Sequence, residues 1–132
     1  MQSKSIAIRK AGDIVAARHQ GRELALDVGF SLSEATFIAT AISELSRNML
    51  LYAKGGIISI EVVEESRMRG ITVVASDDGP GIADLRRALA GGHSISGGLG
   101  LGLSGVRRLM DKMDVFTEPG KGTRVTATMW LR

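Results

Sequence analysis

Two glycine-rich stretches, Asp77-Asp78-Gly79-Pro80-Gly81 and Gly97-Gly98-Leu99-Gly100-Leu101-Gly102-Leu103, lie downstream of a helically spaced segment that carries Glu44 and Asn48. Glycine at that density ends regular structure, so both stretches read as loops hung between elements. The ordered trio constrains the chain more than any other feature. A helix acid and amide can hold a metal and a reacting group, a loop acid can read an adenine amino group, and glycines let backbone N–H groups approach phosphates.

The rest of the chain supplies a frame for such a pocket. Ile6 and Ile8 alternate with polar neighbours and predict a short first strand. Asp13 is expected to cap a helix running through Ile14, Val15, Arg18, Arg22, Leu24 and Leu26, with Gly29 as its stop. Ser31 or Ser33 offers the next N-cap, and Ser31 with Glu34 has capping-box spacing before a helix ending near Tyr52. Ile38, Ala41, Ile42, Leu45, Met49 and Tyr52 form its apolar stripe, with Glu44 and Asn48 at i, i+4 on the border. The run Met49-Leu50-Leu51 fits either a partner surface or deep burial.

Ile57 to Val63 and Ile71 to Ser76 read as a hairpin turned at Met68-Arg69-Gly70, and the second strand runs directly into Asp77. A short helix is expected over Asp84 to Leu89, a mobile lid over Gly91 to Gly98, and a helix over Leu103 to Met113. Val115-Phe116-Thr117, a turn over Glu118 to Gly122, and a last strand through Val125, Ala127, Met129 and Leu131 complete the order. That order describes an α+β sandwich in a single domain over residues 1–132, with helices on one sheet face.

A length of 132 residues with 44% apolar composition suits one core. Without cysteine there is no disulfide framework and no thiolate metal site. The first residues form no apolar leader and no apolar run approaches membrane-spanning length, so the expectation is a soluble, cytoplasmic protein. The net charge of +3 is modest, and the few aromatic residues form no stacking platform, so neither membrane nor nucleic acid is an expected partner.

Each motif has a bland reading when taken alone. Asp77-x-Gly79-x-Gly81 is then a polar turn after a strand, Gly98, Gly100 and Gly102 are a hinge, and Glu44 and Asn48 are a solvated helix face. In combination, Glu44 can take a proton from an attacking hydroxyl and Asn48 can give its carbonyl oxygen to Mg²⁺. Thr123 can place a hydroxyl near a base. Gly100-x-Gly102-x-x-Gly105 matches a dinucleotide fingerprint only literally, because no buried strand precedes it. A Walker-type loop would need Lys and Ser or Thr after its last glycine. His19 and His93 share no metal-ligand spacing.

The boxes Glu44-x-x-x-Asn48, Asp77-x-Gly79-x-Gly81, Gly98-x-Gly100-x-Gly102 and Gly122-Thr123 resemble, in order and spacing, the nucleotide-binding boxes of the GHKL ATPase and kinase superfamily. Asp13 to Arg18, Ala39 to Leu45 and the closing Trp130-Leu131-Arg132 extend the resemblance to the serine-protein kinases of the bacterial stressosome. The resemblance implies a Bergerat-type two-layer sandwich with a mixed, mainly antiparallel sheet. It implies ATP and Mg²⁺ as cofactors, with Asp77 on adenine, Asn48 on the metal and Glu44 as general base. Gly79, Gly81, Gly98, Gly100, Gly102, Leu103 and Thr123 would line the nucleotide. It further implies phosphorylation of STAS-domain proteins (RsbS-like and RsbR-like) and, on release, activation of a PP2C-type phosphatase (RsbU-like). An anti-sigma-factor kinase and a non-catalytic ATP-gated binding module are the alternatives.

Overall fold

The computed structural model describes residues 2–82 and 102–132. Strand β1 (Ser3–Ile8) is followed by helices α1 (Ala11–Val28) and α2 (Leu32–Tyr52), then by strands β2 (Gly56–Glu65) and β3 (Met68–Asp77). Helix α3 (Gly102–Leu109) and strands β4 (Lys112–Glu118) and β5 (Gly122–Trp130) close the order.

Local chemistry sets the helix starts. Asp13 does not stand at the N-cap of α1; Lys10 does, without a side-chain capping bond. Asp13 caps from inside the first turn instead, its Oδ2 accepting the N–H groups of Arg9 at 2.8 Å and Lys10 at 3.1 Å. The bond from Arg9 leads in holding this carboxyl below its ordinary pKa. Ser31 caps α2 reciprocally, its Oγ accepting from Glu34 N–H at 3.1 Å while Glu34 Oε1 accepts from Ser31 N–H at 3.0 Å. Both helices end where expected, at Gly29 and just after Tyr52.

The stripe Ile38, Ala41, Ile42, Leu45 and Met49 is buried, and α1 meets it with Ala17, Gly21, Leu24 and Ala25. A Cβ on Gly21 would collide with Ile42 Cδ1, so the absent side chain sets how closely the helices pack. Tyr52 departs from the stripe and is exposed. The run after Asn48 divides between both readings: Met49 is in the core, Leu50 packs against it, and Leu51 faces solvent.

Among the described residues the five strands lie in the order β1-β2-β3-β5-β4, and all four pairings are antiparallel. Register carries one apolar row across four strands: Ile58 pairs with Ala75, Ala75 with Val125 and Val125 with Val115. The next row is Ile60, Val73, Ala127 and Met113. Because side chains alternate across a strand, these rows share one face, and that face carries the helices. The opposite face mixes Ser and Thr, such as Ser59, Thr72 and Thr126, with charged and apolar residues, and Ile57 and Phe116 on it are exposed. The expected two-layer α+β sandwich is therefore the architecture.

Two boundaries differ from the sequence reading. The β2–β3 turn is Ser66-Arg67, with Glu65 paired to Met68, and both turn residues have positive φ (50° and 69°) without being glycine. Gly70, expected to turn the chain, lies inside β3, where a Cβ would come within 2.8 Å of the Trp130 ring. Helix α3 stops at Leu109 instead of Met113, and Met113 belongs to the core-facing row of β4. Asp111 makes that early stop, since its Oδ2 accepts the Trp130 N–H at 2.7 Å and its two oxygens take Arg132 at 3.2 and 2.9 Å. The expected helix over 84–89 and the lid over 91–98 lie outside the described residues. Among the described residues no helix is long and apolar enough to cross a membrane.

Candidate functional site

The inward face of the sheet changes character at its last row. Moving along β3, Ile71, Val73 and Ala75 face the helices, and the next inward position is Asp77. Its partner on β5 is Thr123, in phase with Val125 and Ala127, and the partner of Thr123 on β4 is Thr117, in phase with Val115. A core face that is apolar over two rows thus ends in Asp77, Thr123 and Thr117. All three are half-buried, at the sheet end opposite the β2–β3 turn.

Glycines let backbone close around this row. A Cβ on Gly56 would sit 2.8 Å from Met49 Sδ and 3.2 Å from Asp77 Cβ, so α2 and Asp77 meet over a missing side chain. Gly79 touches the end of α2 in the same way, where a Cβ would lie 2.5 Å from that of Ala53. Gly81, with φ of 80°, lies against the β4–β5 turn, where a Cβ would meet Glu118 O at 2.6 Å.

Asp77 is divided between loop and opening. Its Oδ1 accepts the Gly79 N–H at 2.9 Å, which folds the loop back on the strand end. Its Oδ2 has no hydrogen-bond partner among the described residues and is left to accept from an incoming donor. The loop is tied down twice more, by Gly120 N–H to Pro80 O at 2.8 Å and by Ile82 N–H to Thr117 Oγ1 at 2.8 Å. Thr117 Oγ1 also lies 3.1 Å from Thr123 Oγ1 and 3.3 Å from Gly122 O.

The structure therefore brings Asp77, Gly79, Gly81 and Thr123 into one connected corner. Glu44 and Asn48 are half-buried on the two turns of α2 that lead to the Met49 and Ala53 contacts with that corner. Neither side chain is hydrogen-bonded or ion-paired to another described residue. Gly102 opens α3 with open space where a Cβ would stand, whereas the Leu103 side chain is only 6% exposed and belongs to the core. Gly98 and Gly100 lie outside the described residues. Thr117 is the site residue that the motif reading missed. Its signal was the spacing to Thr123 across the Glu118 to Gly122 turn, which places two threonines face to face once β4 and β5 pair.

This donor set fits an adenine nucleotide with Mg²⁺. An open carboxylate oxygen beside a hydroxyl suits the amine edge of adenine, and the Cβ-free loop suits a ligand that lies against backbone. Among the described residues no group of three or more His, Cys, Asp or Glu gathers as a metal cage. Mg²⁺ retains waters and takes phosphate oxygens alongside one or two protein oxygens, and the half-buried Asn48 on α2 carries an amide oxygen of that kind.

The sequence profile of the histidine kinase-, DNA gyrase B- and HSP90-like ATPases matches residues 33–132, and the chain belongs to that family. Within it, the chain is 47% identical over 127 residues to the serine/threonine-protein kinase RsbT of Bacillus subtilis (strain 168), covering 96% of each. More distant similarity links it to the anti-sigma F factor of Thermoanaerobacter sp. (strain X514), 30% identical over 76% of this chain and 73% of that one. The anti-sigma F factor of Clostridium acetobutylicum is likewise 30% identical, over 72% and 69%. The full-length similarity sets the chain beside a GHKL-type protein kinase.

Proposed function

We propose that the chain is an ATP-dependent protein serine/threonine kinase, a single cytoplasmic domain that transfers the γ-phosphoryl group of ATP to a hydroxyl of a STAS-domain protein. The observation that carries the reading is the half-used carboxylate of Asp77, with Oδ1 closed by Gly79 and Oδ2 open at the polar end of an apolar sheet face. Asp77 and Thr123 read the adenine edge, and the backbone N–H groups of the Gly98-x-Gly100-x-Gly102 box donate to the phosphates. Asn48 would hold Mg²⁺ through its amide oxygen, and the bound cation would supply charge that offsets that of the phosphates. Glu44, one helical turn earlier, takes the proton of the serine or threonine hydroxyl as its oxygen bonds to the γ-phosphorus. The bond from that phosphorus to the bridging oxygen breaks, and ADP leaves with the electron pair.

The similarity to the B. subtilis kinase supports RsbS-like and RsbR-like STAS proteins as substrates and an RsbU-like PP2C-type phosphatase as the partner bound after release. Similarity to the anti-sigma F factors supports a second reading, in which the chain also binds a sigma factor. A pull-down offered both partners separates the two.

Phosphotransfer is tested with purified chain, Mg²⁺, γ-labelled ATP and a STAS-domain protein. Phosphoserine or phosphothreonine is expected on the added protein, reduced about 100-fold or more in Glu44→Gln with ATP binding retained. Intact ATP binding without transfer in the unaltered chain would contradict kinase action and leave an ATP-gated binding module.

A further inference from the structure

We infer that Thr117 is a positioning residue for nucleotide binding, an inference that rests on the kinase reading above. Its hydroxyl stands where three pieces of chain converge: β4 itself, the loop after Asp77, and the start of β5. Ile82 N–H, 35 residues away in sequence, donates to Thr117 Oγ1 at 2.8 Å. That bond occupies one of two lone pairs and leaves one lone pair and one proton. Gly122 O at 3.3 Å can only accept, while Thr123 Oγ1 at 3.1 Å can accept or donate.

Two arrangements satisfy the cluster. If Thr117 donates to Gly122 O, Thr123 donates to Thr117 and offers only lone pairs to the pocket. If Thr117 donates to Thr123, the Thr123 proton is available to a ring-nitrogen acceptor beside the amine taken by Asp77 Oδ2. In both cases Thr117 sets the orientation of the Thr123 hydroxyl and anchors the loop carrying Gly79 and Gly81. A Cβ on Gly81 would stand 3.2 Å from Thr117 Oγ1, so the loop fits closely over this hydroxyl. Thr117 reaches the nucleotide through Thr123 and the loop, not by direct contact.

Thr117→Val keeps the branched shape and strand propensity and removes only the hydroxyl, whereas Thr117→Ser keeps the hydroxyl. Two readouts are expected to move together. In nucleotide-free protein the Ile82 amide exchanges at least about tenfold faster in Thr117→Val, since its acceptor is lost. In phosphotransfer, KM for ATP rises about tenfold with kcat within about twofold, the pattern of weakened binding without damaged chemistry. Thr117→Ser restores both. Unchanged Ile82 exchange in Thr117→Val, or unchanged KM where Asp77→Asn weakens ATP binding, overturns the assignment and leaves the kinase reading standing. Wild-type protein that binds no ATP overturns the kinase reading itself, and the exchange measurement still decides separately whether Thr117 anchors the loop.

Discussion

Gly120 and Gly122 lie in one turn and both adopt positive φ, 79° and 104°, yet their surroundings differ. A Cβ on Gly120 would meet nothing within 4 Å, whereas one on Gly122 would run into the Asp77 carbonyl, with the carbonyl carbon at 2.9 Å and Asp78 Cα at 3.0 Å. Gly120→Ala therefore carries only the conformational cost of an L-residue at positive φ, about 1–2 kcal/mol. Gly122→Ala carries that cost and must also push β5 away from β3 at the site, adding about 1–3 kcal/mol by analogy with overpacked positions. For a chain of this length 1 kcal/mol corresponds to about 3–4 °C in Tm, so the two variants are expected to melt about 3–12 °C apart. Differential scanning calorimetry on both variants reads this directly. Because the displaced group is the backbone of Asp77, Gly122→Ala is also expected to weaken ATP binding and Gly120→Ala to leave it near wild type. Equal melting temperatures would refute the argument that β5 closes on the Asp77 backbone at Gly122.

Asp111 ties the α3–β4 junction to Trp130 and Arg132, and Asp111→Ala is expected to cost about 1–2 kcal/mol by denaturant unfolding. Burial pushes this carboxyl up, but Arg132 and the Trp130 N–H outweigh it and hold its pKa below the ordinary value. A depressed folded pKa gives stability that is present above the unfolded value of 3.8 and lost as pH falls through the folded one. The gap between wild type and Asp111→Ala should therefore be constant near neutrality and narrow only in acid below that value. Ser46 Oγ is fully buried without a hydrogen-bond partner among the described residues, so Ser46→Ala is expected to be neutral or to stabilise by up to about 1 kcal/mol in the same assay.

What the sequence made legible follows from where local rules act alone. The α2 capping box needs only Ser31 and Glu34, and the helix starts where those residues place it. Asp77, Gly79 and Gly81 alternate within five residues from the end of β3 into the following loop, so their proximity was legible locally. The β2–β3 turn was misplaced because Gly70 looked like a turn residue, while the turn is made by Ser66 and Arg67 under the register of the flanking strands. Gly70 serves Trp130, 60 residues away, which no local pattern could reveal. Helix α3 ends early because Asp111 bonds to the far end of β5, again a long-range partner. Thr117 was missed for a related reason: alone it is a strand threonine, and only the β4–β5 register and the loop N–H of Ile82 give it work.

The central claim is that Asp77 reads an adenine amine, and titration of Mg-ATP into wild type and Asp77→Asn by calorimetry tests it most directly. Asparagine can still accept the Gly79 N–H, so the loop is expected to keep its fold, but its amide nitrogen then faces the amine where Oδ2 accepted. The account predicts saturable binding to wild type and a loss of about 10- to 100-fold in the variant, the scale of one charge-assisted hydrogen bond, with Tm unchanged. Equal affinity for both proteins, or no binding to wild type, would contradict it.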